Sequence, residues 1–119
     1  MTNETKELDK AIRRLKEALA QPKDEFIRDS VIQRFEFCVE LSWKTARRIM
    51  GTATTAPREV VREMGQNSYI DDVPGWLKAI EMRNLSSHTY KEELAEKVYH
   101  FVQEFFPKFE SLLQLLRQK

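Results

Sequence analysis

Within eight residues, Arg83-Asn84-Leu85-Ser86-Ser87-His88-Thr89-Tyr90 gathers a guanidinium, an amide, serine hydroxyls, an imidazole and a phenol. These types suit cleavage of RNA without a metal. The imidazole takes the proton from a 2′-hydroxyl, and the guanidinium stabilises the charge that builds on phosphate. On one continuous helix Arg83 and His88 diverge by about 140°, so a break before a helix start at Thr89 is what lets them converge. His88 then precedes an N-cap, beside unpaired N–H groups and the positive end of a helix dipole, a suitable place for an anion. Plain structural roles exist for the same side chains. Arg83 can cap a helix C-terminus, His88 can hydrogen-bond the loop, and Tyr90 can staple the next helix.

Other catalytic signatures are absent. The chain has no Gly-rich phosphate loop, Cys-x-x-Cys, His-Glu-x-x-His or nucleophile elbow. His100 falls on the polar side of the last helical pattern, as a surface residue. With two histidines twelve residues apart, His88 and His100, and one core cysteine, Cys38, no metal ligand set is expected, and no cofactor. The pair Asp71-Asp72 has no further carboxylate at useful spacing and is better placed to cap a helix than to hold a cation. Net charge is +1, which gives no global attraction to nucleic acid. Locally, Lys44, Arg47, Arg48, Arg58 and Arg62 face a single acid, Glu59, between Leu41 and Arg62. That patch either holds phosphates or is a solvated face.

The elements that must position these groups are helical. The chain is 119 residues, 33% charged, with 3 glycines and 4 prolines, a composition that favours long helices in one domain spanning 1–119. A single cysteine excludes an internal disulfide and points to a reducing compartment, so a cytoplasmic protein is expected. The polar start MTNETKELDK predicts no secretory leader, and no apolar run approaches membrane-spanning length.

Apolar residues at three- and four-residue spacing predict a first helix from about Glu4 to Ala20 and a second from Phe26 to Met50, closed by Gly51. Phe37 and Leu41 lie off the second helix's stripe, together on its opposite side. They mark either a second contact surface, for a partner or another copy, or a wide core around a central helix. Thr55 before Ala56-Pro57 predicts the cap of a short third helix carrying Val60, Val61 and Met64. Asp71-Asp72 cap a fourth, Val73 to about Arg83. Thr89-Tyr90-Lys91-Glu92 has the form of a capping box opening a last helix to about Leu116. Its apolar arc of about 160° exceeds the roughly 100° of a surface helix, so it is central or shared with a second subunit. Pro107 falls on its polar side. The result is an all-α, antiparallel up-and-down bundle of four main helices plus a short extra one.

Arg83, a polar Asn84, three more residues and His88, with Tyr90 two beyond, resembles the Arg-x4-6-His signature of the HEPN superfamily and the Arg-x4-His-x-Tyr form of HepT-type toxins. Ile32-Gln33-Arg34-Phe35-Glu36-Phe37, Glu40-Leu41-Ser42-Trp43-Lys44-Thr45 and Pro57-Arg58-Glu59-Val60-Val61-Arg62-Glu63 resemble nucleotidyltransferase substrate-binding proteins, a branch of that superfamily. The likeness covers nearly the whole chain in order. It implies a helical homodimer made beside a minimal nucleotidyltransferase. In the toxin branch, paired motifs at the dimer cleft form a metal-independent ribonuclease site from Arg83, Asn84 and His88. The transferase silences that site by adenylylating the residue equivalent to Tyr90. The other branch reading is a non-catalytic subunit that presents substrate to the transferase. The chain itself lacks the Gly-Ser and paired acids that nucleotidyl transfer needs.

Overall fold

The structure, a computed structural model, describes residues 3–118. Among these residues there are five α-helices, two 3-10 turns and no strand. The α-helices are α1 (Lys6–Leu19), α2 (Glu25–Met50), α3 (Pro57–Gln66), α4 (Val73–Leu85) and α5 (Glu92–Arg117); the 3-10 turns are Asn3–Thr5 and Ser86–His88. Short connections make sequential helices antiparallel neighbours. α2 and α5 form the centre, with α1 packed on both and α3 and α4 closing another side.

Periodic apolar residues explain this packing. Leu8, Ile12, Leu15 and Ala18 of α1 are buried, as are Val31, Ile32, Phe35, Cys38, Val39, Trp43 and Ala46 of α2. The wide arc of α5 is also covered, from Ala95 and Val98 to Leu113 and Leu116. Edge-to-face ring contacts join three helices: Trp76 of α4 lies 4.9 Å from Phe105 and 5.6 Å from Phe109, and Phe35 of α2 lies 6.1 Å from Phe109. Each fully buried side chain of this size contributes about 1.5–3 kcal/mol, so this aromatic group fixes α4 against the two central helices. Pro107 is exposed, and solvent can reach the carbonyl its missing N–H leaves free.

Local signals set three of the helix ends. Gly51 (φ 68°) takes the left-handed conformation that closes α2, and the N–H groups of Gly51 and Thr52 cap the carbonyls of Arg48 and Arg47. Asp72 accepts the Gly75 N–H at 2.9 Å at the start of α4. Asp24 does the same for Ile27 at 2.8 Å and begins α2 at Glu25, one residue before the expected Phe26.

Three expected boundaries move. Thr55 does not cap α3. Pro57 pushes the preceding Ala56 into an extended conformation as N-cap, and Thr54, two residues earlier, accepts the Ala56 N–H at 3.1 Å. Thr89 forms no capping box, because its hydroxyl donates to the Ser86 carbonyl at 3.0 Å and α5 begins only at Glu92. α4 does not end at Arg83 but runs to Leu85 and tightens into the turn Ser86–His88.

Candidate functional site

The Arg-to-Tyr motif occupies the end of α4, the 3-10 turn and the first residues leading to α5. Arg83, in the last turn of α4, is a third exposed, and its Nε donates to Glu40 of α2 at 3.0 Å. The other Glu40 oxygen lies 3.5 Å from Lys44 Nζ one turn along. Ser86 is buried, and its hydroxyl is shared between the Glu36 carboxylate and the Arg83 carbonyl (2.6 Å to the latter). Glu36 and Glu40, one turn apart on α2, thus grip both ends of the segment from Arg83 to Ser86.

Asn84, Ser87, His88 and Tyr90 are exposed. Ser87 donates to the Asn84 carbonyl at 3.1 Å, which folds the tight turn back on the end of α4. The His88 and Tyr90 rings meet edge to face, 6.0 Å between centroids. Tyr90 is 78% exposed, an unusual degree for a large aromatic ring. Among the described residues no hydrogen bond or ion pair joins Arg83 to His88. Arg83 pairs with α2, whereas His88 pairs with Tyr90. The helix does break before Thr89, since α4 ends at Leu85 and the 3-10 turn Ser86–His88 follows.

A second charged cluster fixes the start of α5. Arg28 of α2 is only 4% exposed, and its guanidinium donates to Glu92 (2.6 Å), Glu96 (3.1 Å) and Asp29 (3.3 Å). These carboxylates, Glu92 foremost, raise the Arg28 pKa even further above its already high ordinary value. Lys23, 2.5 Å from Glu96, and then Arg28 hold the Glu96 carboxyl below the usual carboxylate range. Glu92 lies two residues after Tyr90, so this cluster anchors the C-terminal side of the motif while Glu36 and Glu40 anchor the N-terminal side.

The five candidate phosphate-binding cations differ in surroundings. Arg47 spends its guanidinium on the loop, with Nε donating to the Thr54 carbonyl at 2.6 Å and Nη2 to Ala53 at 3.4 Å. Lys44 pairs with Glu40 and lies over the Trp43 ring. Arg48, Arg58 and Arg62 are exposed, and among the described residues no ion pair engages them. Phe37 is 47% exposed, while Leu41 is partly buried against the core. Cys38 is buried, and burial pushes its thiol up to about 12, so it stays protonated and unreactive. No group of three or more potential metal-ligating side chains occurs among the described residues.

Motif spacing in the sequence singles out Arg83, Asn84, His88 and Tyr90, but not Glu36, Glu40, Ser86 or Arg28. The i, i+4 spacing of Glu36 and Glu40 was a visible signal. Their partners lie more than forty residues away in sequence, which no local pattern reveals.

An all-helical bundle with this motif on an exposed turn defines the class, and residues 3–118 match the family described as nucleotidyltransferase substrate binding protein like. The chain belongs to that family. It is 33% identical over 96 residues to a Haemophilus influenzae protein named probable ribonuclease HepT, covering 74% of this chain and 66% of that protein's length. The fold of a Haemophilus influenzae protein, described as a substrate binding domain of a nucleotidyltransferase, superposes with a TM-score of 0.80 at 29% identity, over 92% of this chain and 96% of that one. A tri-AMPylated Shewanella oneidensis HEPN toxin, solved in complex with its MNT antitoxin, superposes with a TM-score of 0.78 over 98% and 96% of the two chains. At 22% identity that likeness is one of fold.

Proposed function

We propose that this protein is a HepT-like toxin: a metal-independent endoribonuclease, paired with a minimal nucleotidyltransferase that silences it by adenylylating Tyr90. The observation that carries this reading is the junction from the end of α4 through the 3-10 turn toward α5, where Asn84, His88 and Tyr90 stand exposed beside an Arg83 anchored on α2. Arg83 is bonded to Glu40 and His88 lies against Tyr90; as the family resemblance implies, the working site is a cleft between two copies that brings two such motifs together. There the His88 imidazole takes the proton of a 2′-hydroxyl. The 2′-oxygen attacks the adjacent phosphorus, and the bond to the 5′-oxygen breaks. A proton returns to that oxygen from the second copy's His88, and Arg83 stabilises the charge on the phosphoryl oxygens. Asn84 orients the reacting groups. The exposed cations Arg48, Arg58 and Arg62, with Lys44, track the RNA backbone, which makes binding salt-sensitive, while Arg47 holds the loop between them. Such a pair works in the cytoplasm, where RNA and the transferase meet. Adenylylation of Tyr90 puts a phosphate and a nucleoside against His88 and closes the cleft to RNA.

The test is to purify the chain without the transferase and incubate it with RNA in EDTA beside His88→Ala. Cleavage by wild type and at least 100-fold slower cleavage by His88→Ala is the expected result. A second reading, favoured by the family description and by the spare apolar side chain Phe37, is a non-catalytic subunit presenting substrate to the transferase. Intact RNA after incubation with a well-folded, unmodified dimer would establish that reading instead.

A further inference from the structure

Arg83 is the cation that the proposed ribonuclease mechanism aims at phosphate, yet its side chain is long, flexible and partly exposed. Left alone, such a guanidinium loses rotamer freedom each time it engages a phosphate. Three features of the structure restrain it. Its Nε is bonded to Glu40 at 3.0 Å, which leaves both terminal nitrogens without a protein partner among the described residues. Glu40 is itself steadied by Lys44, one turn along α2. One turn before, Glu36 grips the Ser86 hydroxyl, which also contacts the Arg83 carbonyl, so the backbone under Arg83 is held by the same helix edge.

We propose that Glu40 is a positioning residue for Arg83, fixing the guanidinium through Nε so that its two terminal nitrogens form a preset fork for a phosphoryl group. The assignment rests on the ribonuclease reading and extends it to a carboxylate that touches no substrate. A guanidinium can hold two phosphoryl oxygens through its two terminal nitrogens or through Nε and one of them; with Nε engaged by Glu40, the end-on fork of the two terminal nitrogens is the one left open. The negative charge of Glu40 beside a phosphate site opposes RNA binding. A carboxylate at that place serves the rate rather than the affinity. That opposition separates the proposal from a merely structural role. Removing the acceptor must lower kcat without raising KM, since a misplaced guanidinium slows the step while the lost repulsion favours binding.

The experiment measures RNA cleavage by wild type, Glu40→Gln and Glu40→Ala, together with the Arg83 Nε–Hε signal in nitrogen-15 NMR spectra. Glu40→Gln keeps an oxygen acceptor for Nε and the side-chain shape. Glu40→Ala removes the acceptor. The expected result is kcat lowered about 10- to 100-fold in Glu40→Ala and substantially restored in Glu40→Gln, with KM unchanged or lower in both. In parallel, a distinct, slowly exchanging Arg83 Nε–Hε signal in wild type collapses to the solvent-exposed position in Glu40→Ala. A Glu40→Ala protein with wild-type kcat, or with KM and kcat both impaired and the Arg83 signal unmoved, overturns the assignment while leaving the ribonuclease reading in place. If Glu40→Ala does not fold, a Glu40→Gln protein that loses the Arg83 signal and all activity also overturns it, because the retained acceptor should preserve both. Wild-type protein that cleaves no RNA defeats the ribonuclease reading itself, and the Arg83 signal then reports separately on whether Glu40 holds the guanidinium.

Discussion

Asp72 sets where α4 begins and also makes the fold sensitive to acid. The Gly75 N–H, and then Lys108 at 3.2 Å, hold its carboxyl below the usual carboxylate range. Glu96 is held low in the same direction by Lys23 and Arg28. A carboxyl whose pKa is lower folded than unfolded contributes stability above its unfolded value, and that contribution is lost as pH falls through the folded value. The expected outcome is a melting temperature steady near neutrality that declines below about pH 4. Asp72→Asn should flatten part of that decline, because asparagine still caps the helix but carries no charge to lose. Thermal melts from pH 7 to pH 2 check this, and identical acid profiles for the two proteins would contradict it. Asp72→Ala removes the cap altogether and should cost about 1 kcal/mol at pH 7. Gly75 belongs to the same cap, since a Cβ there would stand 2.1 Å from an Asp72 oxygen.

Each side of the motif is tied to α2. Glu36 and Glu40 hold the end of α4, and Arg28 holds the start of α5 through Glu92 and Glu96. Replacing Arg28 by alanine leaves two partly solvated carboxylates close together and a small void at a position that is 4% exposed. A loss of about 1–3 kcal/mol follows, below the 3–5 kcal/mol of a fully buried broken pair because the acids can turn to water. Urea titration gives the magnitude. Hydrogen exchange should show the amides of the first bonded turn of α5, Ala95 to Val98, opening sooner than in wild type, and protection there equal to wild type would contradict the anchoring role. These elements were largely legible in the sequence, since apolar periodicity, Gly51 and Asp72 each act locally. The exceptions have physical causes. Proline at position 57 moved the α3 cap from Thr55 to Ala56, and the 3-10 turn claimed the Thr89 hydroxyl before α5 could use it. Arg28, a cation buried within an apolar helix pattern, was not legible, because its partners lie 64 and 68 residues away.

At the scale of the molecule, the arc of α5 that looked wide enough for a second subunit is filled within one chain by α1, α2 and α4. The large apolar side chains left exposed lie elsewhere: Phe26 at 81% and Phe37 at 47% on α2, and Tyr90 at 78% beside the motif. If two copies join through Phe37, Phe37→Asp should halve the mass measured by light scattering and abolish cleavage while leaving the helical content intact. A dimer unchanged by this substitution would move the interface to another face. The central claim concerns bond chemistry, and the ends of the RNA fragments test it most directly. Purified protein, unmodified at Tyr90 and incubated with RNA in EDTA, should leave a 2′,3′-cyclic phosphate on one fragment and a 5′-hydroxyl on the other. Fragments ending in 3′-hydroxyl and 5′-phosphate, or cleavage that appears only when a divalent metal is restored, would contradict a site in which His88 activates the 2′-hydroxyl.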